Sequence, residues 1–262
     1  MPLLLYIILF TALGGILSVF AAALFLLLPE AKKANVLPHG ISFAIGALLA
    51  VAFWGLIPEA FASVPKDNIQ TLSATILAGI LGFFILEKLL IWRHCHFNNY
   101  TQDNNPPHEH HHGHSAGTLI ILGDSIHNFV DGVLIAAAFL TDINLGIVTS
   151  FAVAAHEIPQ EVGDFAILLQ SGYSQRKAIF YNIIASLSTV IGGVLAYFSL
   201  DNISLSLPYF LALAASSFIY IAVADLIPSL HRKTDMKSAL QQITLIMAGV
   251  IIIGALHTLA HS

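Results

Sequence analysis

Eight stretches of this chain are each about 20 residues or longer and almost wholly apolar, and nothing else in the sequence restricts the fold as much. They cover residues 3–28, 37–62, 71–92, 117–140, 144–170, 177–200, 205–230 and 240–260. A hydrocarbon core about 30 Å thick is crossed by roughly 20 residues of helix. Backbone in lipid must satisfy its own hydrogen bonds, so only helices and closed barrels can span. These segments are too long for barrel strands and lack sustained alternation. The sequence therefore predicts an all-α membrane protein with eight transmembrane helices. Composition agrees: 10% of residues are charged, against about 25% in soluble domains. The first segment is longer than a signal-peptide core and has no clear small-residue cleavage site, so it reads as a retained helix.

The loops orient the bundle. Lys32, Lys33, Lys88, Arg93, Arg176, Lys177, Arg232, Lys233 and Lys237 fall on one side, and Lys66 falls on the other. Cytoplasmic loops collect Lys and Arg. With an even helix count, both termini are expected outside the cytoplasm. A bacterial inner membrane is the expected location, with the lipid bilayer as partner and a homodimer open to the chain. No basic patch suggests nucleic acid. Cys95 is the single cysteine, which excludes an internal disulfide. Residues 1–262 read as one membrane domain. The loop 93–116, "RHCHFNNYTQDNNPPHEHHHGHSA", reads as a disordered cytoplasmic segment. Its histidines (His94, His96, His108, His110, His111, His112 and His114) suit a loose metal buffer or sensor.

There is an internal echo. The second segment ends "WGLIPEAF" and the seventh "VADLIPSL"; the fourth carries "HNFVDG" and the fifth "HEIPQEVGD". Helices 1–3 are thus expected to match helices 6–8 as inverted repeats around a central helix 4/5 pair, an arrangement common in transporters.

The fourth and fifth segments carry the chemistry. Asp124, His127, Asn128 and Asp131 fall at i, i+3, i+4 and i+7, which is one stripe of a helix. His156 and Gln160 are an i, i+4 pair, as are Glu157 and Glu161, with Asp164 one turn further. Pro159 lacks an N–H, so the Ala155 carbonyl loses its helical partner beside these groups. A lone polar residue in a membrane helix is usually interhelical glue. That reading suffices for Asp124, Asp164, Glu59, Glu87 or Asp225 taken singly. It does not account for histidines and carboxylates clustered on two adjacent helices. No Lys or Arg occurs between Arg93 and Arg176 to neutralise the acids. A mixed N/O ligand set suits zinc and neighbouring divalent metals such as iron, manganese, cobalt and cadmium.

The pair "HNFVDG" and "HEIPQEVGDFAILLQSG" resembles the signature of the ZIP (Zrt-/Irt-like) metal transporters, in the branch whose fifth helix carries His-Glu-x-Pro-His-Glu-x-Gly-Asp. "GALLAVAFWGLIPEAF", "GFFILEK", "FIYIAVADLIP" and the histidine-rich loop extend the resemblance over most of the chain. The resemblance implies eight helices, both termini outside, and movement of Zn2+ as substrate towards the cytoplasm, with Fe2+, Mn2+ and Cd2+ as alternatives. It implies a metal position at His127, Asp131, His156 and Gln160. A neighbouring position would use Asn128 and Glu157, with Asp131 or Gln160 open to sharing. Glu161 and Asp164 are further candidates. Two departures stand out. Gln160 replaces the branch's second histidine, which points to weaker zinc binding or a harder metal. Thr189 stands where members outside this branch often carry a glutamate, which weakens the second position.

Rival readings follow from the same residues. "HEIPQ" approaches the His-Glu-x-x-His motif of a zinc hydrolase, but it lacks the second histidine. A cation exporter would also use a His-x-x-x-Asp pair such as His127 and Asp131. For a carrier, protons compete with metal for these ligands, so uptake should fall with acid across about pH 5–8.

Overall fold

The computed structural model describes residues 2–99, 112–200, 206–231 and 235–260. Among them are eight long helices and no strand. Helix α1 is Leu3–Leu26. Helix α2 joins Glu30–Ala50, a π-helical segment Val51–Leu56 and a final Ile57–Ala62. Helix α3 is Ile69–Asn99, α4 His112–Thr141, α5 Ile143–Gln170 and α6 Gln175–Leu200. Helix α7 joins Leu207–Tyr220, a π-helical Ile221–Leu226 and Ile227–Leu230, and α8 is Met236–Ala260. Seven are long and apolar enough to cross a membrane. The exception is α5, whose polar cluster lowers its hydropathy.

Helices extend past the apolar stretches where polar ends leave the hydrocarbon. Helix α2 begins at Glu30, yet its membrane-compatible part is Val36–Ala62. Helix α3 runs through Asn99 and α4 starts at His112, so both ends of the stretch 93–116 are helical. His108, His110 and His111 lie outside the described residues.

Local chemistry sets the α4–α5 hairpin. Asp142 caps α5, its carboxylate accepting from the Leu145 N–H at 2.9 Å, which satisfies an otherwise orphan donor. At the far end Gly172 adopts φ +88°, a left-handed turn that a side chain would strain. The amides of Gly172 and Tyr173 then bond back to the carbonyls of Leu169 and Leu168.

Both π-helical segments precede an Ile-Pro pair, Ile57-Pro58 and Ile227-Pro228. Proline removes a donor and crowds the carbonyl four residues earlier, and widening the preceding turn relieves this. The echo read from sequence is therefore an echo in backbone form.

Packing follows the same symmetry. Helix α4 lies on α6 and α5 on α1, while α2 lies on α8 and α7 on α3. The groups meet through α2 on α5 and α4 on α7. Every contact maps onto its mate when helices 1, 2 and 3 exchange with 6, 7 and 8, and helix 4 with helix 5. An offset of five helices reverses direction through the membrane, so the repeats are inverted. Among the seven membrane-compatible spans, those of α2 and α7 are the most enclosed, 61% and 56% buried, against 11% for α3 and α8. Leu77, Leu81, Ile85, Ile243, Met247 and Ile251 stand exposed on those outer helices, a face for lipid.

Candidate metal centre

Helices α4 and α5 bring His127, Asp131, His156 and Glu157 together, with one ligand atom from each within 4.8 Å of the others. His156 Nε2 is 3.1 Å from Asp131 Oδ2 and 3.5 Å from Glu157 Oε1. His127 Nε2 is 3.7 Å from Asp131 Oδ2, 3.4 Å from Glu157 Oε1 and 3.3 Å from His156 Nε2. Donors about 2.0–2.1 Å from a tetrahedral zinc ion stand roughly 3.3 Å apart. The distances scatter about that edge length.

The surroundings also suit a cation. Asp131, His156 and Glu157 are buried, while the His127 side chain keeps 25% exposure. Neither oxygen of Asp131 nor of Glu157 has a hydrogen-bond partner. Two buried carboxylates without donors are costly unless a cation or protons neutralise them. His156 Nδ1 faces the Ala152 carbonyl at 3.3 Å. The N–H belongs on that nitrogen, which turns the lone pair of Nε2 into the cluster. The Phe218 ring of α7 packs 6.2 Å from the His156 ring, an apolar wall on the second repeat's side.

The other sequence candidates stand on the same two helices. Asn128 is buried and bonded to Asp124 and Thr189. Glu161 is buried with Oε1 accepting from Ser186 Oγ at 3.0 Å, and it is outside the four-residue group. Gln160 is half-buried one turn beyond His156. Glu157, assigned by resemblance to a neighbouring position, instead joins His127, Asp131 and His156. Its side chain is long enough to reach round the helix from the position next to His156. Sequence reasoning did not find the serine on α6. A hydroxyl in an apolar helix carries no periodic signal.

The two ends of the site differ. Towards the α4–α5 turn, Leu134, Ile135, Ala136, Ala137, Ala138 and Phe139 of α4 are all buried. They pack with Leu145, Val148, Ala152 and Val153 of α5 into a largely apolar plug, beside which Thr149 and Ser150 of α5 are also buried. Towards the opposite end lie Asp124, Glu161 and Asp164. The site is thus closed at the hairpin end and polar at the other.

Comparison with known proteins identifies a family. The family model described as ZIP Zinc transporter matches residues 93–257. The chain is 32% identical over 228 residues to "Zinc transporter ZIP13" of Pongo abelii, covering 81% of this chain and 64% of that protein. It is 38% identical over 138 residues to "Zinc transporter zipt-7.2" of Caenorhabditis elegans, covering 51% and 30%. It is 29% identical over 266 residues to "Metal cation symporter ZIP14" of Mus musculus, covering 75% and 54%. The chain therefore spans less than two thirds of each of these relatives. An inverted-repeat helical bundle around an α4/α5 cluster, a family match over most of the chain and this shared sequence lead to one conclusion: the chain belongs to the ZIP zinc transporter family.

Proposed function

We propose that the protein carries Zn2+ across a membrane towards the cytoplasm, binding it between His127, Asp131, His156 and Glu157. The observation that carries this is the meeting of two histidine nitrogens with one oxygen each of two buried carboxylates that have no hydrogen-bond partner. Asp131 lies mid-span within Ile120–Thr141. Fe2+, Mn2+ and Cd2+ are alternative substrates, since nitrogen and oxygen donors do not exclude them. Gln160 and Glu161 remain part of the proposed path and Asn128 borders it, with Gln160, the i, i+4 partner of His156, the residue to tune preference.

The distribution of Lys and Arg supports both termini outside, which puts the apolar plug on the outer side and the polar end towards the cytoplasm. The present form would then be closed to the outside. The relatives compared are animal proteins, so they lend nothing to a bacterial inner membrane. Residues 1–262 act in this reading as one membrane domain, with the histidine-rich loop on the cytoplasmic side. Self-association through a lipid-facing surface belongs to the same proposal, and cross-linking in native membranes reads it. The hydrolase reading finds no support in relatives named as transporters and symporters.

The test is uptake into proteoliposomes of known orientation, offered Zn2+, Mn2+, Fe2+ and Cd2+ separately. Wild type should move Zn2+, and Asp131→Ala and His127→Ala should not. Equal uptake by wild type and both variants would remove the cluster from the pathway.

A further inference from the structure

Helix α6 touches the metal-site helices through hydroxyls. Thr189 Oγ1 donates to Asn128 Oδ1 at 2.7 Å, and both residues are buried. Asn128 Nδ2 in turn donates to Asp124 Oδ1 at 2.8 Å and to the Asp124 carbonyl at 3.1 Å. That carbonyl can only accept, so the amide nitrogen must face Asp124. The Asn128 oxygen is thereby turned to α6.

The same place is where α4 and α6 approach most closely. A Cβ on Gly132 would lie 1.9 Å from the Thr189 carbonyl, and one on Gly192 would lie 2.1 Å from the Phe129 carbonyl. Backbone rests on backbone here, and the hydroxyl of Thr189 grips α4 one turn below Gly132. The turn between Asn128 and Gly132 carries Asp131. The register and rotation of α4 on α6 therefore decide whether the Asp131 carboxylate and the His127 ring meet His156 and Glu157.

We propose that Thr189 is a positioning residue for the metal centre, acting through Asn128, and that Asn128 is a structural link and not a metal ligand. This rests on the reading that the four-residue cluster binds the transported metal. The Thr189–Asn128–Asp124 chain holds the α4 half of the ligand set at the height of the α5 half. Removal of such a supporting group typically costs about 10–100-fold in metal affinity.

The two roles for Asn128 predict opposite signs. If Asn128 were a ligand, Thr189→Val would free its oxygen, and zinc binding would hold or tighten. Asn128→Asp would also tighten binding, because a carboxylate binds a divalent cation better than an amide. As a positioning link, Thr189→Val loosens α4, and Asn128→Asp sets an acid against Asp124. Both should then weaken binding.

The experiment is competitive titration of purified full-length protein in detergent with Zn2+ and Mn2+, using wild type, Thr189→Val, Thr189→Ser, Asn128→Asp and Asp131→Ala. We expect roughly tenfold or greater weakening for Thr189→Val and for Asn128→Asp. Thr189→Ser keeps the hydroxyl and should retain near-wild-type affinity. The Thr189→Val/Asn128→Asp double variant should be little worse than the weaker single one, since both cut one chain. Unchanged or tighter binding by Thr189→Val and Asn128→Asp, with Asp131→Ala still abolishing it, overturns the positioning role and leaves the site standing. Indifference of binding to Asp131→Ala overturns the site itself. Should Thr189→Val not fold, the Asn128→Asp result alone decides by its sign.

Discussion

Asp131 and Glu157 have no donor on any of their four oxygens, although each sits against histidine. A residue that served only packing would be satisfied, because buried polar groups nearly always are. Asp131→Asn preserves shape and removes the charge. Its zinc affinity should therefore fall by more than the roughly 10–100-fold that loss of a supporting group costs, as read by competitive titration. Gln160→His adds an imidazole one turn beyond His156. It should raise zinc affinity relative to manganese, since imidazole suits zinc and harder oxygen donors suit manganese. A ratio that stays flat or moves towards manganese would place Gln160 away from the ion. At this scale the spacing put His127 and Asp131 on one stripe of α4 with Asp124 and Asn128, and only the family resemblance grouped them with His156. It could not reveal that Glu157 joins them, because that depends on how a long side chain reaches round α5. Nor could it pair Thr189 with Asn128, because 61 residues separate them and no periodicity links one helix to the other.

Among elements, the pairing of α4 with α6 is set by glycine. Gly132 and Gly192 meet opposing backbone carbonyls, which cannot step aside as a flexible side chain can. Small residues that let membrane helices approach closely are a principal source of helix association in lipid. Gly132→Ala should accordingly destabilise the protein by about 1–3 kcal/mol or more, the range for overpacking. Gly82→Ala and Gly163→Ala meet open space and should change little. Thermal unfolding in detergent compares the three, and equal midpoints would contradict the close crossing. Eight helices were legible because apolar runs are long and the lipid leaves few alternatives. The π-helical turns were not, since proline announces a disturbed turn without saying how the backbone absorbs it. The start of α2 at Glu30 was hidden for a different reason: hydropathy marks where a helix enters hydrocarbon, not where it begins.

The whole molecule divides along its symmetry. Helices α1, α4, α5 and α6 pack among themselves, as do α2, α3, α7 and α8, and the two groups meet mainly through α2 on α5 and α4 on α7. The four clustered residues all lie on the first group, while Phe218 and the two π-helical segments lie on the second. The short likeness between "WGLIPEAF" and "VADLIPSL" already hinted at the repeat, though not at this division. Its contacts could not be read from the chain because they join segments far apart in sequence. A carrier built this way would expose its site alternately by moving one group against the other, carrying the metal with the first. Gly55 of α2 packs against the Leu145 side chain of α5 across the boundary, beside the apolar plug. Gly79 of α3 packs against Ser216 of α7 within one group. Paired cysteines at 55 and 145, in a Cys95→Ser background, should stop zinc uptake when oxidised and release it when reduced. Paired cysteines at 79 and 216, which need a small outward shift of α3 to reach disulfide geometry, should once cross-linked leave uptake nearly unchanged, because those helices travel together. If the first cross-link forms and uptake persists, the groups do not slide at this boundary and the metal must pass through a bundle that stays closed there. If the second cross-link alone stops uptake, the moving parts are divided differently from the symmetry, with α3 separating from α7 during transport.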